Sequence, residues 1–170
     1  MAKSSKAALK RLHREFMDVQ KSGVAQGVVA GPVSPDDYFE WEAVVLGPQG
    51  TPYDGGCFEA RISIPQDYPF SPPTMRFTSQ MWHPNVFANG VVCISILHSH
   101  GDPHYADFES ASEQWSPVQS LETVLLSVVS MLAEPNPNSP ANVDAAKQWR
   151  DNREAFNKKV DQCVRESLGF

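Results

Sequence analysis

The chain has 170 residues, 14 prolines and a formal net charge of −6. That length suits one domain with a core of its own, without metal or disulfide staples. A pI near 5.3 excludes the basic footprint of a nucleic-acid binder, and no apolar run approaches the roughly 18–20 residues of a membrane span. Met1–Lys6 lacks the apolar core of a secretory signal. The three cysteines, Cys57, Cys93 and Cys163, are odd in number and form no CxxC pair, which points to free thiols in a reducing compartment.

Charge is unevenly spread. Residues 1–21 carry six basic side chains against two acids, and residues 22–146 carry two against fourteen. The basic start predicts an acidic protein partner at that end. Leu9, Leu12, Phe16 and Val19 recur at helical spacing, so an amphipathic helix is expected over 5–21. Residues 27–33 form a short strand. Tyr38–Leu46 alternates Phe39, Trp41, Ala43 and Val45 on one face with Glu40, Glu42 and Val44 on the other, and Cys57–Ile64 alternates Phe58, Ala60, Ile62 and Ile64 inward, giving two half-buried strands. A fourth strand at 74–78 follows Pro72-Pro73. Regular spacing with tight turns predicts an antiparallel meander.

Residues 79–116 show little periodicity yet hold Cys93 and four of the five histidines, as functional loops often do. An apolar helix follows at 120–133, expected to be buried, then helices over 142–149 and 151–168. The expected fold is α+β: an N-terminal helix, a four-stranded antiparallel meander sheet, a long active-site loop and C-terminal helices.

The residues around Cys93 are more specific. His83-Pro84-Asn85, seven further residues, then Cys93-Ile94-Ser95-Ile96-Leu97 resembles the signature of the ubiquitin-conjugating enzymes. Tyr68-Pro69-Phe70-Ser71-Pro72-Pro73 lies upstream and Trp115-Ser116-Pro117-Val118 downstream, as that family has them, and the likeness runs from Ala8 to Phe170. The chain is most similar to the subgroup with an insertion after the cysteine, which serves ligases of endoplasmic-reticulum-associated degradation. Residues 98–114, 127–135 and 167–170 carry that likeness.

The resemblance implies one catalytic core over 1–170, with the insertion at about 98–114. Cys93 would take ubiquitin as a thioester from an activating enzyme, which uses the ATP, so no cofactor is bound. Thiols suit the task as nucleophiles and as leaving groups. Nearby acids should hold the Cys93 pKa up, giving a thiol quiet toward general electrophiles. Asn85 would serve the oxyanion or order the loop, and His83 would brace it. Many members carry aspartates where this chain has Ser95 and Ser139. The insertion offers Asp102, Asp107, Glu109 and Glu113 to orient the acceptor lysine instead, with His98 as helper. His98, His100 and His104 are irregularly spaced, and no metal site is assigned.

Lys10, Arg11 and Arg14 would meet the activating enzyme, while Phe70, Ser116, Pro117 and Val118 would meet a RING-type ligase. The resemblance also implies a cytoplasmic monomer that a membrane-anchored protein recruits to the endoplasmic reticulum. Cys57 and Cys163 read as packed or inert. Three other readings stay open on residues alone: a ubiquitin-binding variant, which would lack the cysteine; conjugation of another modifier such as SUMO; and a cysteine hydrolase, which needs a histidine oriented toward Cys93 by a third group.

Overall fold

In the computed structural model, which describes residues 2–22, 26–105 and 109–170, helix α1 (Ala2–Ser22) leads into strands β1 (Val28–Ser34), β2 (Asp37–Leu46), β3 (Cys57–Ser63) and β4 (Thr74–Phe77). Helices α2 (Leu121–Ala133), α3 (Val143–Asp151) and α4 (Arg153–Ser167) complete the chain. The strands form one antiparallel sheet in sequence order, as the meander reading expected.

Register follows from side-chain alternation. Trp41 faces Ile62, Ala43 faces Ala60 and Val45 faces Phe58, so the inward residues of β2 and β3 stack on one face. All six are buried, whereas Glu42, Glu59 and Arg61 between them are exposed. A one-residue slip would turn every one of these side chains to the wrong face. On the buried face lies α2, apolar on most sides, with Leu121, Val124, Leu125, Val128, Met131 and Leu132 buried. Ser120 caps its start by accepting from the Thr123 N–H at 3.2 Å.

Two details differ from expectation. The inner face of α1 is Ala8, Leu12, Glu15 and Val19, while Leu9 is partly exposed on the rim. Glu15 takes an inward position because its carboxylate is fully partnered there. The last two helices divide at Asn152 rather than at 150. Its backbone N–H donates to Gln148 at the end of α3, and its side chain accepts from Ala155 at the start of α4, so one residue closes one helix and opens the next.

Candidate active site

Between β4 and α2 the chain runs through loop, held by a few long-range bonds. The Val92 N–H donates to the Met75 carbonyl, and the Cys93 N–H to the Asn85 carbonyl at 2.8 Å. Gly90 makes the preceding turn possible. Its φ of +91° is left-handed, and a Cβ there would fall 2.1 Å from the Phe77 oxygen. Cys93 is thereby fixed half-buried in the wall of a cavity of about 560 Å³.

His83 and Asn85 frame this wall. The fully buried His83 ring contacts the Met131 carbonyl through Nε2 at 2.7 Å and accepts the Asn85 N–H on Nδ1 at 2.9 Å. One ring nitrogen donates and the other accepts, so the neutral Nε2–H tautomer satisfies both contacts. Burial pushes its pKa down to about 4. In the unfolded chain an imidazole titrates near 6.5. Stability contributed by the neutral ring is therefore complete above about pH 6.5 and is lost as pH falls toward 4. The loss should reach about 3 kcal/mol. Denaturant titrations from pH 7 to pH 4 should show that decline in the wild type and a flatter profile in His83→Gln; equal slopes would remove His83 as the cause.

The Asn85 side chain is tied at both ends to one backbone unit. Its Nδ2 donates to the Asn136 carbonyl and its Oδ1 accepts the Asn136 N–H, each at 2.9 Å. That pair closes the loop after α2 onto the cysteine loop. The donor is engaged with Asn136 in this state.

Across from Cys93 lies the insertion. The Cys93 sulfur is 3.6 Å from His98 Nε2, and His98 Nδ1 lies 2.8 and 3.0 Å from the two oxygens of Glu109. Tyr105 stacks flat on the imidazole, with centroids 3.5 Å apart and planes within 3°. Gln114 Nε2 donates to Glu109 at 3.4 Å. Burial pushes the Cys93 pKa up and the Glu109 charge adds to that, while the Tyr105 hydroxyl opposes it. The direction matches the sequence reading, but burial is the larger cause.

The remaining expected residues divide by position. Glu113 lines the cavity with Glu109, and Ser95 and Ser139 are in its wall. Asp102 instead caps a turn, accepting from the His104 N–H at 2.9 Å. Asp107 lies outside the described residues. His100 and His104 are exposed. Tyr105 and Glu134 in the cavity wall, and Gln114 behind Glu109, were missed by the sequence reading, since nothing in their spacing marks these positions. Cys163 is buried on α4, and the Cys57 N–H is held by the Ser167 hydroxyl at 3.0 Å.

A model of the family described as "Ubiquitin-conjugating enzyme" matches residues 11–164. The chain belongs to that family. Ubiquitin-conjugating enzyme E2 G2 of Homo sapiens is 55% identical to this enzyme over 163 residues, covering 96% of this chain and 98% of the relative. Ubiquitin-conjugating enzyme E2-18 kDa of Schizosaccharomyces pombe is 49% identical over 167 residues, covering 98% and 99%. A solved ubiquitin conjugating enzyme E2 domain of Toxoplasma gondii superposes with a TM-score of 0.76 at 35% identity, over 93% of this chain and 97% of that one. The α+β fold and the transferase class follow together.

On the enzyme's surface the expected partner residues behave differently from one another. Phe70 and Val118 are 76% and 88% exposed. Their loops are joined by the Trp115 indole, which donates to the Pro69 carbonyl at 2.8 Å. Lys10 and Arg14 are exposed on α1. Arg11 is committed inside the molecule: it donates to Glu15 at 3.1 Å, to the Pro117 carbonyl at 2.7 Å and to the Gln119 carbonyl. It clamps α1 to the turn carrying Ser116, Pro117 and Val118. No described helix is long and apolar enough to cross a membrane.

Proposed function

We propose that the chain is one catalytic unit which carries ubiquitin as a thioester on Cys93 and passes it to lysine with the help of a RING-type ligase, building chains for protein degradation. The observation that carries this is a half-buried free thiol in a cavity wall, with His98 and Glu109 beside it. Thioester transfer needs no resting thiolate, because the activating enzyme delivers the acyl group at close range. A raised Cys93 pKa suits a carrier that must avoid stray electrophiles.

Glu109 and Glu113 give the cavity negative charge, which attracts an incoming lysine ammonium. His98 stands where it can take the proton that the amine loses. Asp102, held in its turn, acts through the negative field it adds to the insertion. Lys10 and Arg14 are the cations left free to meet an acidic face of the activating enzyme. Phe70 and Val118 form the apolar patch a ligase would cover. Recruitment to the endoplasmic reticulum by a membrane-anchored partner rests on the subgroup resemblance, as do a monomeric state and ATP use by the activating enzyme alone.

The test is charging followed by discharge. With ubiquitin, activating enzyme and ATP, the protein should gain one ubiquitin that reductant removes. Discharge to lysine should then quicken when a RING domain is added. Phe70→Ala should lose most of that stimulation, by about tenfold for a central anchor worth ≥ ~1.4 kcal/mol, while charging continues. Charging with another modifier only would move the enzyme to a different pathway. Stimulation equal in wild type and variant would place the ligase elsewhere.

A further inference from the structure

The Cys93–His98–Glu109 array exceeds what an amine acceptor requires. A deprotonated lysine is a capable nucleophile, and acidic neighbours suffice to draw it in. An alcohol is a weak nucleophile whose proton must leave as the new bond forms. Proteins remove such protons with a histidine whose second ring nitrogen is held by a carboxylate. Here Glu109 accepts from His98 Nδ1 at 2.8 Å, which turns the Nε2 lone pair toward the sulfur 3.6 Å away.

The imidazole is held at both ring nitrogens, on one face and through its backbone. Tyr105 covers one face. The His98 N–H donates to the Ser95 carbonyl and the His98 carbonyl accepts the Trp115 N–H, both at 2.9 Å. Gln114, itself buried, braces Glu109. His98 as a residue is 9% exposed, yet the cavity beside Cys93 is open to an incoming chain. The cavity is lined by hydroxyls, among them those of Tyr105, Ser95, Ser130 and Ser139, and by the carboxylates of Glu113 and Glu134. Imidazole is a stronger base than either kind of group.

We propose that this site also transfers ubiquitin to oxygen nucleophiles, the hydroxyls of serine and threonine side chains in acceptor proteins. The inference rests on the thioester reading above. The hydroxyl oxygen attacks the thioester carbonyl carbon as its proton passes to His98 Nε2. The C–S bond then breaks, its electron pair goes to the Cys93 sulfur, and the sulfur takes that proton back from the imidazolium. The products are a ubiquitin oxyester and the free thiol, and no further reactant is consumed. Return of the proton matters here, because burial and Glu109 disfavour a bare thiolate at Cys93. Cys93 and His98 touch the reacting atoms; Glu109 is a positioning residue.

The thioester, freed of activating enzyme and ATP, is divided among four tubes: an acetylated serine peptide without lysine, the matching threonine peptide, the matching lysine peptide, and buffer. The serine or threonine peptide should give an adduct that survives reductant and is cleaved by alkaline hydroxylamine, at a rate within about tenfold of the lysine peptide. His98→Gln should slow the hydroxyl reaction about 10²-fold, the scale of a lost general base, and the lysine reaction less, because an amine, unlike an alcohol, can also lose its proton to water. Glu109→Gln, which keeps the side-chain shape, should lower the same hydroxyl-to-lysine ratio, since Glu113 and Glu134 still draw the lysine while His98 loses its carboxylate, and it serves if His98→Gln disturbs the loop. General damage to the loop would slow both acceptors alike and leave that ratio unmoved.

A lysine adduct with no hydroxyl adduct above buffer would overturn the proposal, as would a ratio unchanged in both variants. Loss to free ubiquitin without a peptide ester would assign the histidine to water and overturn the serine and threonine assignment. Failure to form any reductant-sensitive thioester would overturn the conjugating reading, and this inference with it.

Discussion

Replacing Cys93 with alanine should leave the enzyme unable to take up ubiquitin, a loss on the order of 10⁶ if the nucleophile alone is removed. Replacing it with serine should give at most a slow adduct that reductant cannot remove, because the carrier bond becomes an oxyester. The other two thiols offer no substitute. Cys163 is buried against the core, and Cys57 begins β3. Neither lines the cavity that Cys93 shares with Asn85 and Glu109. The readout is a gel of the charging reaction with and without reductant. A reductant-sensitive band persisting in Cys93→Ala would transfer the role to one of those thiols.

Glu15→Ala should cost about 3–5 kcal/mol of folding stability, the range for breaking a buried charged network by removing one partner. The Glu15 carboxylate accepts from the Tyr68 hydroxyl at 2.7 Å, from the Leu121 N–H at 2.7 Å and from Arg11 at 3.1 Å. Tyr68 and Leu121 are both buried, so each donor would be left without water or partner. The negative charge also sits at the N-terminal end of α2, where the helix dipole favours it. Burial and Glu15 together push the Tyr68 pKa far upward, so the tyrosine remains a donor. Glu15→Gln should cost less, since one oxygen acceptor remains. Urea denaturation measures both. A change below about 1 kcal/mol in Glu15→Ala would mean that the network can be replaced by solvent. The effect should extend to ligase response, because Arg11, once released from Glu15, is a weaker clamp on the Pro117 turn.

How far the molecule could be read from its residues depended on the range of the forces involved. The alternation of Phe58, Ala60 and Ile62 against Glu59 and Arg61 required a strand with one buried face, since successive side chains in a strand point to opposite sides. The apolar run in α2 likewise required a buried helix. The spacing of His83, Asn85 and Cys93 carried the family. These signals are local, and the structure kept them with boundary shifts of one to three residues. Glu15 shows where local patterning failed: an acid at an inward helical position makes sense only once Tyr68, 53 residues away, and Leu121, 106 away, supply donors.

The same holds for the site. The type of chemistry was legible in Cys93 and its neighbouring motif, but the choice among four loop acids was not. Glu109 meets His98 across eleven residues of irregular chain, Asn85 meets Asn136 across 51, and Arg11 meets Pro117 across 106. Arg11, expected to face a partner, is occupied inside the molecule, and Tyr105 became part of the site by stacking. Residue type and spacing alone determined the element order and the buried faces, because each follows from backbone geometry and side-chain period, while the expected nucleophile came from the resemblance of the motif around Cys93. Only tertiary structure decided which histidine and which carboxylate stand beside that nucleophile, because hydrogen bonds between distant loops depend on where the core holds their ends, and no local period records that.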